Sequence, residues 1–216
     1  MRYLFSIISL SLLFASCSNN KETASAKPFC DTTCNTDTFK FAGDHKLKPV
    51  VTISVNNCIA DTLSFSHEAM PASRQVHMGT YLGHLVRLNN SAISAYFKDT
   101  SYVWLTFNDC ATGRGYLLKL PFNKKESIRK MSSAINSFDK KFVLPEDLRA
   151  YADYSTIYVE DIATGKSETM TFKEEYKIDW DNIHETIDSV NISRNRIYVQ
   201  LKKDGQIVPI EKNISL

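Results

Sequence analysis

Residues 102–120 read YVWLTFNDCATGRGYLLKL, and this stretch decides the fold. Two apolar runs enclose a polar Asn-Asp-Cys-Ala-Thr-Gly turn, which is the pattern of a β-hairpin. Val103, Leu105 and Phe107 alternate with Tyr102 and Trp104, so both faces of the first strand are apolar. A strand of that kind is covered on both sides and belongs in the interior. Gly113 supplies the positive φ that a hairpin loop needs.

Three other stretches repeat the pattern. VTISVNNC at 51–58 matches VWLTFNDC at 103–110 after a shift of 52 residues. IYVEDIATGK at 157–166 matches the central copy at the same shift through Asp161, Ala163, Thr164 and Gly165. IYVQLKKDGQ at 197–206 follows the third copy at a shift of 40 and keeps Ile-Tyr-Val and the turn glycine, Gly205. Further strands are expected at 62–65, 92–97, 190–193 and 207–210 from alternation and β-branched content. Each repeat is then strand, turn, strand, hairpin, strand.

That period and meander order resemble the blades of β-propellers, most closely in LRAYADYSTIYVEDIATGK at 148–166. The resemblance implies about four blades. The expected fold class is all-β, antiparallel meander or hairpin repeats, propeller-like or a β-sandwich, with one or two short helices. The best helix candidate is DWDNIHETIDSV at 179–190, where Trp180, Ile183, Ile187 and Val190 fall at helical spacing. The basic stretch at 123–141 places Ile128, Met131 and Ile135 similarly and suits a short surface helix or a long connector. Gly79 and Gly83 break the apolar run at 75–88, which predicts short strands or a bend there.

The chain begins with Arg2, an apolar run over 4–14, and then Ala15-Ser16-Cys17. This is the layout of a secretory signal, too short to span a bilayer stably. Phe14-Ala15-Ser16-Cys17 resembles the lipobox of bacterial lipoproteins, with Phe where Leu is commoner. The resemblance implies a signal peptide over 1–16, acylation of Cys17 (palmitate being the usual label) and a membrane held by lipid alone. Ser18 after the cysteine implies passage to the outer membrane. Residues 17–28 are polar and aperiodic and read as a lipidated flexible tether, and 29–216 as a single all-β domain.

Charge excludes one class of partner. The 26 basic and 24 acidic residues nearly balance, which argues against nucleic acid. Cys30, Cys34, Cys58 and Cys110 remain beside Cys17, an even number that suits disulfides in an oxidising compartment. Three connectivities exist; the repeat favours Cys58 with Cys110, which leaves Cys30 and Cys34 to pair locally.

The sequence lacks a nucleophile elbow, a phosphate loop and a dinucleotide fingerprint. Weak catalytic candidates cluster at His67, Glu68, His77, His84 and Arg87, and their test is whether they meet in one pocket. A metal site from Cys30, Cys34 and His45 competes poorly with disulfide formation, and Asp61, Asp109, Asp161 and Asp204 recur at turns as ordinary turn formers. No metal and no cofactor is expected. The expected function is a membrane-anchored envelope binding module with a protein or glycan partner; the alternative is an envelope glycan hydrolase with a site near 67–87.

Overall fold

The computed structural model describes residues 29–31, 33–172, 176–179 and 181–216. The signal segment, Cys17, the tether and Trp180 lie outside the described residues. The chain is all-β: sixteen strands among the described residues form four four-stranded sheets. The first is a meander of β1 (Phe39–Ala42), β2 (Val50–Asn56), β3 (Ile59–Ser66) and β4 (Arg74–His77). The second is a meander of β5 (Ile93–Lys98), β6 (Tyr102–Asn108), β7 (Gly115–Pro121) and β8 (Arg129–Met131).

The two later sheets are interleaved. After β8 the chain adds β9 (Ala134–Ile135) to the edge of the third sheet. It then adds β10 (Phe142–Val143) in parallel to the fourth, and returns for β11 (Leu148–Asp153), β12 (Thr156–Asp161) and β13 (Ser167–Thr171). The fourth sheet is completed by β14 (Ile187–Ser193), β15 (Arg196–Lys203) and β16 (Gln206–Asn213).

Three apolar clusters show how the sheets stack. One joins the first and second sheets through Ile53, Leu63, Phe65, Leu105, Phe107 and Leu118. A second joins the third and fourth through Ile157, Val159, Val190, Ile192, Ile197 and Val199. The third is small, with Trp104, Leu117, Ala134 and Ile162 between the second and third sheets. None of these clusters links the fourth sheet to the first. The physical reason lies in the strands themselves. Thr52, Ser54, Thr62, Ser64, Gln75 and His77 occupy the outer rows of the first sheet, and Ser189, Asn191, Tyr198 and Gln200 those of the fourth. Polar outer faces end a stack of blades as polar caps end a repeat array.

β6 and β7 are buried along almost their whole length, as a strand apolar on both faces requires. The turns explain the repeat. At Asp109 the side chain accepts hydrogen bonds from the backbone of Ala111 (3.3 Å) and Thr112 (3.2 Å) and from the Thr112 hydroxyl (2.7 Å). Gly113 at φ 79° donates its N–H to the Asp109 carbonyl. Asp161 repeats this with the N–H groups of Ala163 (2.8 Å) and Thr164 (2.9 Å), and with Gly165 at φ 75°. The matched residues are therefore the ones that build the turn. Asn57-Cys58 and Asp204-Gly205 instead make two-residue turns with both residues at positive φ.

Three local expectations are corrected. Residues 123–141 hold β8 and β9 rather than a helix, because Met131 and Ile135 complete sheet edges opposite Leu117 and Ala150. The helix at 179–190 shrinks to α2 (Ile183–Thr186), since Ile187 and Val190 enter β14 opposite Leu201 and Val199. At 75–88 the expectation of short strands or a bend is corrected only in part: β4 runs through His77, but a short helix, α1 (Met78–Leu82), follows it, with Gly79 inside it and Gly83 ending it at φ 90°.

The cysteine pairing is corrected as well. The disulfides are Cys30–Cys110 and Cys34–Cys58. Stacked sheets lie about 10 Å apart, whereas a disulfide bridges Cα atoms no more than about 7 Å apart. Turn cysteines on neighbouring blades therefore need an intermediary. The entry segment serves as one, with Phe29 donating its N–H to the Cys110 carbonyl (3.0 Å) and Asn89 donating to the Asp31 carbonyl (3.3 Å).

Asp161 makes a test of acid sensitivity. The N–H of Thr164, the Arg194 guanidinium at 2.5 Å and the N–H of Ala163 together hold its carboxyl down to about 2, against the effect of burial. An unfolded aspartate titrates near 3.9. A depressed native pKa contributes stability that is present above about pH 4 and lost as pH falls toward about 2. Asp161→Asn is expected to flatten the stability–pH curve in that window, as read from urea midpoints; an unchanged slope would count against the coupling.

Candidate ligand cleft between the second and third sheets

Alternation on β6 sends Val103, Leu105 and Phe107 toward the first sheet. It leaves Tyr102, Trp104, Thr106 and Asn108 facing the third. In register beside them lie Tyr96 with Lys119, and Ser94 with Leu117. The facing rows of the third sheet are Arg149 with Glu160 and Tyr151 with Tyr158. This interface thus carries polar and charged groups beside its aromatic rings where the other two are apolar. The Tyr151 and Tyr158 rings stack at 4.9 Å, and Lys119 Nζ sits 4.1 Å from the Tyr102 centroid and 5.1 Å from that of Trp104.

A cleft of about 330 Å³ opens here, near the lower end of the range for small-molecule sites. Its walls include Tyr96, Thr106, Leu117, Phe138, Glu146 and Arg149, and its mouth is formed by the loop that carries Asn136 and Ser137 between β9 and β10. Asn136 is fixed by donating to Asn108 Oδ1 at 2.6 Å, while Asn108 donates to the Gly113 carbonyl. Below that loop His184 donates from Nε2 to Asp139 at 2.6 Å and stacks on Phe142. Burial opposes the Asp139 charge, yet the His184 hydrogen bond and the Lys141 amide carry its carboxyl below the usual range.

Three buried polar atoms at this interface have no hydrogen-bond partner among the described residues: Trp104 Nε1, Thr106 Oγ1 and Arg149 Nε. Thr106 is only 5% exposed. The other two such atoms among the described residues, on His67 and His184, lie elsewhere. Leaving a buried donor unpaired costs about 1–3 kcal/mol, and native folds rarely concentrate that cost in one place. Arg149 uses Nη1 on the carbonyls of Glu146 (2.7 Å) and Leu148 (2.8 Å) and lies 5.9 Å from the Tyr96 ring centroid. Burial pulls its guanidinium pKa down, with Tyr96, Glu146 and Asp147 acting the other way. Among the described residues it has no salt-bridge partner.

The five residues singled out in the sequence do not meet. His67 packs edge-on against Phe122, just beyond the end of β7, and His84 contacts the Tyr116 hydroxyl near its start. Those positions are about 20 Å apart at the strand rise. Glu68 forms an exposed ion pair with Lys48, and His77 is exposed on the first sheet near the Thr62 hydroxyl (3.3 Å). Arg87 contributes backbone groups, its N–H to Asp109 Oδ1 and its carbonyl to Cys110, while its side chain is exposed. Cys30 and Cys34 are spent in disulfides. The described residues contain no group of three or more His, Cys, Asp or Glu placed to hold a metal ion.

The cleft residues escaped the sequence because Thr106 and Arg149 sit in separate repeats, inside stretches whose pattern reads as architecture and not as chemistry. The available signal was a threonine interrupting a strand apolar on both faces. Comparison with known proteins adds no assignment: no protein-family model matches the chain, and no curated protein or solved structure matches it. No helix among the described residues is long and apolar enough to cross a membrane.

Proposed function

We propose that this is a lipid-anchored protein of the bacterial envelope, tethered to the outer membrane through Cys17, whose folded body is a non-enzymatic binding module for a small ligand. The observation that carries the binding role is the meeting of two residues with unpaired buried atoms, Thr106 (Oγ1) and Arg149 (Nε), in the lining of one cleft. The anchor is supported by Phe14-Ala15-Ser16-Cys17 and the polar residues after it. Two disulfides that strap the first and second sheets through the entry segment hold one wall of the cleft, which suits preorganised binding because a rigid wall loses little freedom when it is occupied. A hydrolase with its site at 67–87 draws no support from the geometry, since its candidate residues are dispersed.

Ser137 is exposed at the cleft mouth, so Ser137→Trp closes the entrance without touching the core. Native mass spectrometry of protein purified from its own envelope is expected to show a small-molecule adduct on the wild type that is missing from Ser137→Trp. Equal adducts, or none on either, would refute the cleft as the binding element. In the same cells, palmitate label is expected to disappear in Cys17→Ala, and its persistence would refute the anchor.

A further inference from the structure

We propose that the cleft between the second and third sheets takes small organic monocarboxylates, held by the Arg149 guanidinium and the Thr106 hydroxyl, with the apolar part of the ligand against Tyr96, Leu117 and Phe138. This rests on the reading of the cleft as a ligand site and adds the chemical class of what enters it.

The class follows from the donors. Arg149 is a fixed cation: its Nη1 is held by two backbone carbonyls, and its plane is further placed by the Tyr96 ring. Its Nε is buried and unpaired, and among the described residues it has no carboxylate salt-bridge partner. A guanidinium edge presents parallel N–H groups whose spacing matches the two oxygens of a carboxylate. Thr106 adds a hydroxyl, 5% exposed and without a partner, that can donate to the same anion. Both groups are donors toward the cleft, so an acceptor-only ligand satisfies both together. A neutral apolar ligand would leave the unpaired atoms as they are.

Charge sets the limit at one. Glu146 lines the same cleft, and Glu146 and Asp147 both act on Arg149. A monoanion pairs with the single charge of Arg149 at its free edge, whereas a phosphate dianion brings a further negative charge beside Glu146. Apart from Ser94, Asn136 and Ser137, the remaining walls are mainly apolar, among them Ala95, Leu117, Ile135, Leu148 and Ala150 beside the Tyr96 and Phe138 rings. They favour a ligand with an apolar body.

The test uses the mature chain with three probes of nearly the same shape: benzoate, benzamide and phenyl phosphate, followed by saturation-transfer NMR and titration. Benzoate is expected to bind about tenfold or more tighter than the other two, and Ser137→Trp is expected to abolish its binding. Arg149→Gln should weaken benzoate by about 10- to 100-fold and leave benzamide unchanged, the range for losing hydrogen bonds to a charged group. Should Arg149→Gln fold poorly, Thr106→Val serves alone: it should raise Tm, by removing an unpaired hydroxyl, while weakening benzoate several-fold. A threonine with a purely structural role would move Tm without moving affinity. Benzamide binding as tightly as benzoate, in a manner lost in Ser137→Trp, would keep the cleft as a site and overturn the carboxylate assignment. Preference for phenyl phosphate would overturn the single-charge limit and with it the proposal. Absence of any Ser137→Trp-sensitive binding among the three probes would overturn both the assignment and the binding role of the cleft.

Discussion

Cys30→Ala is expected to lower the free energy of unfolding by about 3–5 kcal/mol, the cost of opening a disulfide that closes a loop of this length. The bond joins residues 80 apart in sequence and holds the entry segment against the turn of the second sheet. Cys30 is itself only half-buried, so little packing is lost with it and the measured change reports the cross-link. Cys34–Cys58 spans 24 residues inside that larger loop, so the losses from opening both bonds should fall short of the sum of the single losses. Urea midpoints of the two single variants and the combined one measure this. A non-reduced digest supplies the independent check, with peptides expected to join 30 to 110 and 34 to 58. A peptide joining 58 to 110 would overturn the proposed role of the entry segment as the strap between the first two sheets.

The second large effect is expected at Asp109, whose carboxylate is 2% exposed and gathers four donors: the N–H groups of Arg87, Ala111 and Thr112 and the Thr112 hydroxyl. Asp109→Ala removes the buried carboxylate that those donors share and should destabilise the chain by about 3–5 kcal/mol, since a hydrogen bond to a charged group contributes about 1.5–3 and water reaches the freed donors to recover part of it. The Arg87 bond ties the turn to the segment arriving from the first sheet, so the loss extends beyond one hairpin. Asp109→Asn keeps the shape and an acceptor oxygen and should cost clearly less. Denaturant unfolding of the two variants gives the comparison; a cost below about 1 kcal/mol for Asp109→Ala would show that the turn stands without its aspartate.

Asp161 is the counterpart that explains why the repeat was legible. The same Asp-x-Ala-Thr-Gly order builds the same hydrogen bonds in the third sheet, so residue identity at the turn and geometry at the turn are one fact. The fourth copy keeps only the glycine and makes a tighter turn with Asp204. Sequence similarity between repeats thus followed the turn chemistry and faded where a different turn was used.

The helix expected over 179–190 is cut to one turn for a related reason. Ile183, Ile187 and Val190 do repeat at helical spacing, but Ile187 and Val190 gain more by pairing beside β15 than a single turn of helix can offer. Periodicity over a dozen residues cannot register the presence of a waiting sheet edge. β10 shows the same limit: two residues, Phe142 and Val143, leave the third sheet's chain segment to pair in parallel with the fourth, and nothing local marks them.

By itself the sequence determined the all-β class, the hairpin turns, the burial of β6 on both faces and the expectation of an exported, lipid-anchored chain. Those features are written in runs of adjacent residues, where alternation and turn chemistry act within a few positions. Tertiary structure alone decided the order of stacking, the open ends of the stack, the disulfide partners and the cleft. Each of these depends on residues tens of positions apart meeting across sheets about 10 Å apart, as Thr106 and Arg149 do, or Cys30 and Cys110. The hairpin at residues 102–120 belongs to both groups: its fold is local, while the function proposed for Thr106 in its outward row exists only because the third sheet closes over it.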